Sequence, residues 1–177
     1  NEHWTVENVV QPESGFRAQH HPLEDAEASV QAGDRLLAVD GRPLSADRSP
    51  WAALVGTVGL GIEATFERDG TPFDILVTPI ASEAELRHDA WIDGNRRKVH
   101  EATDGRVVYI YVRFTGIEGQ TDLVSQFFAE MHREALIIDE RWNGGGQIPT
   151  RFIELLNREP VSWWARRHGD DWRSPSD

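Results

Sequence analysis

Several residue types are scarce or absent in this chain of 177 residues, and each absence excludes a class of chemistry. There is no cysteine, so disulfides, thiolate metal sites and cysteine nucleophiles are excluded. Basic residues are few, with 18 Lys and Arg against 30 Asp and Glu, and the net charge is -12. That balance argues against a nucleic acid or an anionic membrane as the partner. No apolar run approaches the roughly 20 residues that a membrane-spanning helix needs.

The chain also lacks an initiator methionine and a recognisable leader. Its only methionine is Met131, and the start at Asn1 has no basic and apolar segment, so no signal peptide is predicted. We therefore expect a piece of a longer protein. The sequence does not fix the compartment, although the missing leader slightly favours the cytoplasm.

The histidines do not form a catalytic or metal-binding pattern. None of the seven has the His-x-x-x-His spacing of a zinc site on one helix, and none lies in a context typical of a Ser/His triad. The sequence therefore predicts no metal and no cofactor.

The most informative stretch combines an apolar run, three glycines and a helical pattern. The run Leu136–Ile138 predicts a strand covered on both faces. Gly144, Gly145 and Gly146 follow, and glycine permits positive φ and close backbone approach. The next apolar residues recur at helical spacing, so the N–H groups of a helix start point back at the turn. This arrangement suits an anion, either a phosphate or a tetrahedral oxyanion.

The glycine stretch is not a P-loop, because no Gly-Lys-Ser/Thr follows the glycines. A tight strand-to-helix connection without any chemistry is the alternative interpretation of this stretch on its own.

Hydrophobic patterning divides the chain into a β-rich part and a mixed part. Residues 1–80 predict a small β-rich domain with one helix, Trp51–Val58, and a hairpin around Asp69-Gly70. Residues 81–177 predict the alternation typical of an α/β domain with a parallel sheet. Its predicted elements are a helix over Glu83–Thr103, a strand over Val107–Val112, a helix over Thr121–Arg133, the Leu136–Asp139 strand and a last helix.

Four segments, in the same order along the chain, resemble motifs of the tricorn protease family, within the C-terminal processing peptidase-like serine peptidases. Ile137–Gly146 resembles the core motif Ile-Ile-Asp-x-Arg-aromatic-Asn-Gly-Gly-Gly. Trp91–His100 resembles the helix Trp-Val-Glu-x-Asn-Arg-Arg-x-Val, and Gly105–Val112 resembles the strand that follows it. Gly33–Leu44 looks like part of the PDZ domain that precedes the catalytic region.

The resemblance implies an α+β fold in two parts. A PDZ-like domain over 1–80 would precede the incomplete start of a ClpP/crotonase-like α/β peptidase domain over 81–177. The implied function is hydrolysis of peptide bonds by a tricorn-like serine endopeptidase acting on peptides or unfolded polypeptides. The family forms large rings, which implies a homo-oligomer for the full-length protein.

The resemblance also implies roles for single residues. The backbone of Gly144, Gly145 and Gly146 would bind substrate, and the Gly146 N–H would help to form the oxyanion hole. The family's nucleophile lies in a Ser-Asp-Gly segment and its base in a Thr-Ser-His-Ser segment, and this sequence contains neither. We therefore expect this chain to be an interior part of the peptidase and to be inactive alone.

Neighbouring residues predict support for the glycine turn. The Asn143 amide is expected to hydrogen-bond the turn backbone. Asp139 and Arg141 lie two apart on a strand and so face one side, where we expect a bracing salt bridge rather than a catalytic pair. Trp163-Trp164 predicts either the lining of a substrate groove or aromatic packing over the core edge.

Two departures from the family limit what the resemblance carries over. Arg113-Phe114-Thr115 stands where the family has Pro-Asp-Met, so the local loop contacts are not carried over. An acid that accompanies cleavage after basic residues has no counterpart near Trp164, which leaves an apolar preference open. Two other functions remain as alternatives: a PDZ-type module that binds peptides by β-augmentation, and a scaffold that has lost its activity.

Overall fold

The structure, a computed structural model, describes residues 4–10, 22–23, 30–45, 47–147, 149–157, 159, 162–165 and 167–174. The chain forms two compact units, Asn1–Asp93 and Gly94–Asp177. The fold is mixed α+β, with the larger sheet in the first unit. The domain division at residue 80 stays a prediction.

The first unit contains an antiparallel sheet in the order β1-β2-β4-β5, with β3 paired to β2. Its elements are β1 (Trp4–Thr5), β2 (Arg35–Val39), β3 (Arg42–Pro43), α1 (Pro50–Ala53), β4 (Ile62–Arg68) and β5 (Thr71–Val77). The β4–β5 hairpin turns at Asp69-Gly70, where both residues have positive φ, as the two-residue hairpin turn requires. This confirms the predicted hairpin.

The core of the first unit lies on one face of this sheet. Ala64 and Phe66 alternate along β4 and pack with Ile75 of β5 and with Val30. Beside this core the Asp34 carboxylate is buried and receives two hydrogen bonds from Arg68, each of 2.7 Å. A buried carboxylate needs such pairing, because an unpaired buried charge is strongly destabilising.

The helix predicted over Trp51–Val58 is wrong in length, because α1 is a single turn. The Ser49 side chain caps its start by accepting a hydrogen bond from the Ala52 N–H. Gly56 then takes positive φ, which a continuing helix does not allow. Trp51 and Val55 are exposed, so the apolar stripe has no described surface to pack on.

The helix α2 (Ala84–Ala102) contains the point at which the two units divide. Its bounds lie within one residue of the predicted helix at each end. The Ser82 hydroxyl accepts a hydrogen bond from the Ala84 N–H at its start.

The second unit places two parallel strands beside two helices. Its elements are β6 (Val107–Tyr111), α3 (Ile117–Glu130), β7 (Ala135–Asp139), α4 (Pro149–Leu156), β8 (Ser162–Trp164) and β9 (Trp172–Ser174). β6 and β7 pair in parallel from Val107↔Ala135 to Tyr111↔Asp139, which confirms the predicted parallel pairing. Its buried core joins Ile110, Val112, Leu123 and Phe152.

Two predictions in this unit need correction. The β7 strand is not covered on both faces, since Ile137 is 44% exposed while Asp139 is buried. The helix α3 begins at Ile117, one turn before the predicted Thr121, and Gly116 is its N-cap. Gly119 permits this early start because it lies against the Phe114 carbonyl, where a side chain would not fit. Within the described ranges, no helix is long and apolar enough to cross a membrane.

Candidate functional site

The glycine loop comprises residues 143–146, between the end of β7 and the start of α4. Its backbone is fastened to the loop that follows β6. The Gly144 N–H donates to the Arg113 carbonyl, and the Thr115 N–H donates to the Gly145 carbonyl, each at 3.0 Å. The parallel strands β6 and β7 end at the same edge, and the loops that follow them are joined by these backbone hydrogen bonds.

Glycine is required at two of these positions by close approach. A Cβ on Gly144 would lie 2.7 Å from a ring carbon of Phe114. A Cβ on Gly146 would overlap the backbone that joins Thr115 to Gly116, and the φ of Gly146 is +154°. The loop is thus held on both sides by neighbours that leave no room for side chains.

The three glycine N–H groups differ in their hydrogen bonding. Those of Gly144 and Gly145 are used within the protein, the first by Arg113 and the second by the Asn143 side chain at 2.6 Å. The Gly146 N–H has no hydrogen-bond partner within the described part of the chain. It is the loop donor that remains for an external acceptor.

Asn143 connects the glycine loop to Val112, the residue that follows β6. Its Oδ1 accepts from the Gly145 N–H, and its Nδ2 donates to the Val112 carbonyl at 3.1 Å. Both halves of the amide are used, so the predicted role of Asn143 in fixing the turn is confirmed.

Asp139 and Arg141 form the predicted salt bridge. The Arg141 guanidinium donates to both carboxylate oxygens, and the Arg141 backbone N–H adds a bond of 2.9 Å to Oδ1. Hydrogen bonds from Arg141 hold the pKa of Asp139 well below its usual range, despite the burial of the carboxylate. The pair therefore stabilises the fold above the ordinary pKa of an aspartate, and this stabilisation is lost as the pH falls through the depressed pKa.

Two tyrosines complete the support, and the sequence patterns did not predict their role. The Tyr109 hydroxyl donates to Asp139 Oδ2 at 2.6 Å, and the Tyr111 hydroxyl donates to the Arg141 carbonyl at 2.7 Å. Burial is the largest cause, and the hydrogen bond to Asp139 the second, of a rise in the pKa of Tyr109 to about 12. One signal was available: these are the only two tyrosines of the chain, and both lie on one predicted strand.

Comparison with known proteins agrees with these motifs. The tricorn protease PDZ domain model matches residues 1–82. Tricorn protease homolog 1 of Streptomyces coelicolor is 32% identical over 162 residues, which cover 90% of this chain and 15% of that protein. Tricorn protease of Thermoplasma volcanium is 26% identical over 96% of this chain and 16% of its own length.

This chain belongs to the tricorn protease family. The family assignment agrees with the fold, because the solved crystal structure of the tricorn protease superposes with a TM-score of 0.81 over 99% of the chain. At 23% identity this superposition supports the fold alone, and it covers 17% of that protein. The chain spans about one sixth of the length of these tricorn relatives.

The loop after β6 is the place where the sequence predicts a departure from the family. Arg113-Phe114-Thr115 nevertheless contacts the glycine loop through two backbone hydrogen bonds and through the Phe114 ring beside Gly144. Backbone bonds do not depend on side-chain identity, so these two contacts place few demands on the residue types of the tripeptide.

The tryptophan pair lies on the hairpin of β8 and β9. Trp163 is 67% exposed, and Trp164 stacks on Trp172 across the hairpin with ring centroids 5.7 Å apart. The predicted packing over the core edge is therefore wrong for Trp163. The alternative, that the pair lines a substrate groove, stays a prediction. Within the described ranges, no group of three or more acidic or histidine side chains is placed to hold a metal ion.

Proposed function

We propose that this chain supplies the oxyanion-hole loop and the PDZ module of a tricorn-like serine endopeptidase. The supporting observation is the Gly146 N–H, which has no partner within the described part of the chain although the loop around it is fixed on both sides. A fixed backbone donor stabilises the negative charge that develops on a carbonyl oxygen in the transition state. The loss of one such donor typically costs about 3–4 kcal/mol.

The three glycines have separate tasks in this proposal. The exposed Gly144, Gly145 and Gly146 receive the substrate backbone, which no side chain obstructs. The scissile carbonyl oxygen accepts from the Gly146 N–H. The N–H groups of Gly144 and Gly145 donate to Arg113 and Asn143. These two glycines therefore contribute an unobstructed backbone surface rather than oxyanion donors.

The nucleophile and the base of this peptidase come from other segments of the protein. The family places them in Ser-Asp-Gly and Thr-Ser-His-Ser segments, which do not occur in this sequence. Nucleophilic catalysis needs both groups within hydrogen-bond reach of each other, so we expect this chain alone not to hydrolyse peptides. Assembly into a homo-oligomer remains a prediction from the family.

The test uses the protein expressed from the complete reading frame that encodes this chain. We expect it to hydrolyse an unfolded polypeptide and to react covalently with a fluorophosphonate at one serine, in a Ser-Asp-Gly segment. Substitution of that serine by alanine should abolish both. Hydrolysis without fluorophosphonate reaction would refute the serine mechanism. No hydrolysis at all would leave the peptide-binding module or the inactive scaffold as the better interpretation.

A further inference from the structure

The backbone of Trp142 has a conformation that bulky residues avoid. Positive φ occurs at four described residues other than glycine: Asp40, Asp69, Asp104 and Trp142. The first three are aspartates directly before a glycine, and a short polar side chain can compensate for this conformation by local hydrogen bonding. Tryptophan is not among the residue types that commonly adopt it. The left-handed conformation is sterically unfavourable for a bulky residue such as Trp142.

The surrounding hydrogen bonds impose this conformation. The Asn143 N–H donates to the Glu140 carbonyl at 3.0 Å, which places Trp142 third in a four-residue turn. A positive φ at that position is typical of a type II turn, where glycine is preferred. The Tyr111 hydroxyl donates to the Arg141 carbonyl and so fixes the peptide unit that leads into Trp142.

Burial of the Trp142 side chain does not offset this strain. It is 71% exposed, and it belongs to neither hydrophobic core cluster. A glycine would fit the turn without the steric cost. Residues in strained backbone conformations are concentrated at functional sites, where the surrounding structure holds them in place.

We propose that the Trp142 indole is a specificity-determining contact for an apolar side chain of the peptide substrate. This inference rests on the proposed function of the glycine loop. Trp142 precedes Gly144 by two residues, so a substrate that lies along the glycines brings a neighbouring side chain to the indole. The flat apolar ring gains most from an aliphatic or aromatic partner, because both lose water-exposed surface.

Local charge argues against an acidic side chain as the partner. The adjacent Arg141 guanidinium is committed to Asp139, so it is not available to recognise a substrate carboxylate. The Glu140 side chain has no described partner and is the nearest charge along the chain that a cationic substrate could use. A substrate with lysine at the contacted position therefore serves as the competing case.

The test compares matched peptides on the protein expressed from the complete reading frame. Leucine, lysine or glycine is placed at one position at a time on either side of the scissile bond. At the position that contacts Trp142, we expect Trp142→Gly to lower kcat/KM for the leucine peptide by about 10-fold to 100-fold. The glycine peptide should change by less than about threefold, and Trp142→Phe should retain the preference for leucine.

Other outcomes overturn the inference. An equal loss on the leucine and glycine peptides would mean that the substitution disrupts the loop, and no loss on either would mean that Trp142 does not touch substrate. A loss confined to the lysine peptide would refute the apolar class. In all three cases the wild-type protein still hydrolyses peptides, so the proposed function stands. If the wild-type protein cleaves nothing, the proposed function fails and this inference fails with it.

A folding measurement separates strain from packing. Alanine keeps the steric cost at positive φ and glycine removes it, so the urea midpoint of Trp142→Gly should lie at or above that of Trp142→Ala. A midpoint for Trp142→Gly clearly below that of both wild type and Trp142→Ala would show that the ring is needed for stability, and the strain argument would fall.

Discussion

The buried network beneath the glycine loop depends on the protonation of two phenols. The Tyr109 hydroxyl donates a hydrogen bond to the Asp139 carboxylate at 2.6 Å, and a phenolate in its place would lie beside that negative carboxylate. Burial and this neighbour therefore raise the pKa of Tyr109 to about 12, and burial also raises the pKa of Tyr111. Folding therefore favours the neutral form of both tyrosines.

Alkaline titration tests this network directly, because the chain contains only two tyrosines. At the ordinary tyrosine pKa of about 10, we expect the folded chain to show less phenolate absorbance than the unfolded chain. Because folding raises the pKa of Tyr109, its neutral phenol contributes its full stabilisation below about pH 10. This stabilisation is lost as the pH rises towards 12. The free energy of unfolding should then fall by up to about 1.4 kcal/mol per pH unit for Tyr109.

The control for the titration is the chain unfolded in guanidinium, in which both phenols should titrate near their ordinary pKa. Tyr111→Phe isolates Tyr109 in the folded chain. A folded Tyr111→Phe chain that ionises at about pH 10 would contradict the hydrogen bond to Asp139.

At the scale of elements, the start of α3 and the loop after β6 form one support for the glycine loop. Gly119 lies against the Phe114 carbonyl, and the Phe114 ring in turn lies beside Gly144. Gly116 lies in the same first turn, yet a Cβ there would meet nothing within 4 Å. The two glycines therefore form a matched pair for substitution.

We predict that Gly119→Ala lowers the free energy of unfolding by about 1–3 kcal/mol, because the new methyl must displace the Phe114 backbone or α3. Gly116→Ala should change it by less than about 1 kcal/mol, since its negative φ suits alanine and only the N-cap preference is affected. Urea unfolding of the two variants measures the difference. Equal effects would mean that the close approach of Gly119 to Phe114 does not constrain the loop.

The elements also indicate what sequence patterns can and cannot predict. The hairpin at Asp69-Gly70 and the helix α2 follow local rules, turn chemistry in the first and helical patterning in the second, and both were predicted. The helix α1 was overestimated because periodicity does not tell whether a surface exists for the stripe that includes Trp51 and Val55. The coverage of β7 was overestimated for the same reason at Ile137.

Within the site, local contacts were predictable and distant ones were not. The bond from the Gly145 N–H to Asn143 and the Asp139–Arg141 pair each join residues two positions apart, so residue type and spacing sufficed. The hydrogen bonds of Tyr109 and Tyr111 join residues 30 positions apart. Only the register of two parallel strands brings such groups together, and no single-sequence pattern encodes that register for a hydroxyl.

At the scale of the whole molecule, the chain is part of a tricorn-family protein and corresponds to about one sixth of its relatives' length. The segment matched by the PDZ model, residues 1–82, lies within the first compact unit, and the glycine loop lies within the second, Gly94–Asp177. The central claim concerns a single backbone group, the Gly146 N–H, and its role in the activity of the complete protein.

The most direct measurement of that claim is the kcat of Gly146→Ala in the protein expressed from the complete reading frame. The added methyl collides with the backbone at Thr115 and Gly116, so the N–H must move away from the oxyanion. We predict a fall in kcat of about 10²–10³-fold. Gly56→Ala, at positive φ with open space around it, is the control and should retain the wild-type kcat. A Gly146→Ala enzyme with a kcat within about threefold of wild type would contradict the assignment of the oxyanion hole to this loop.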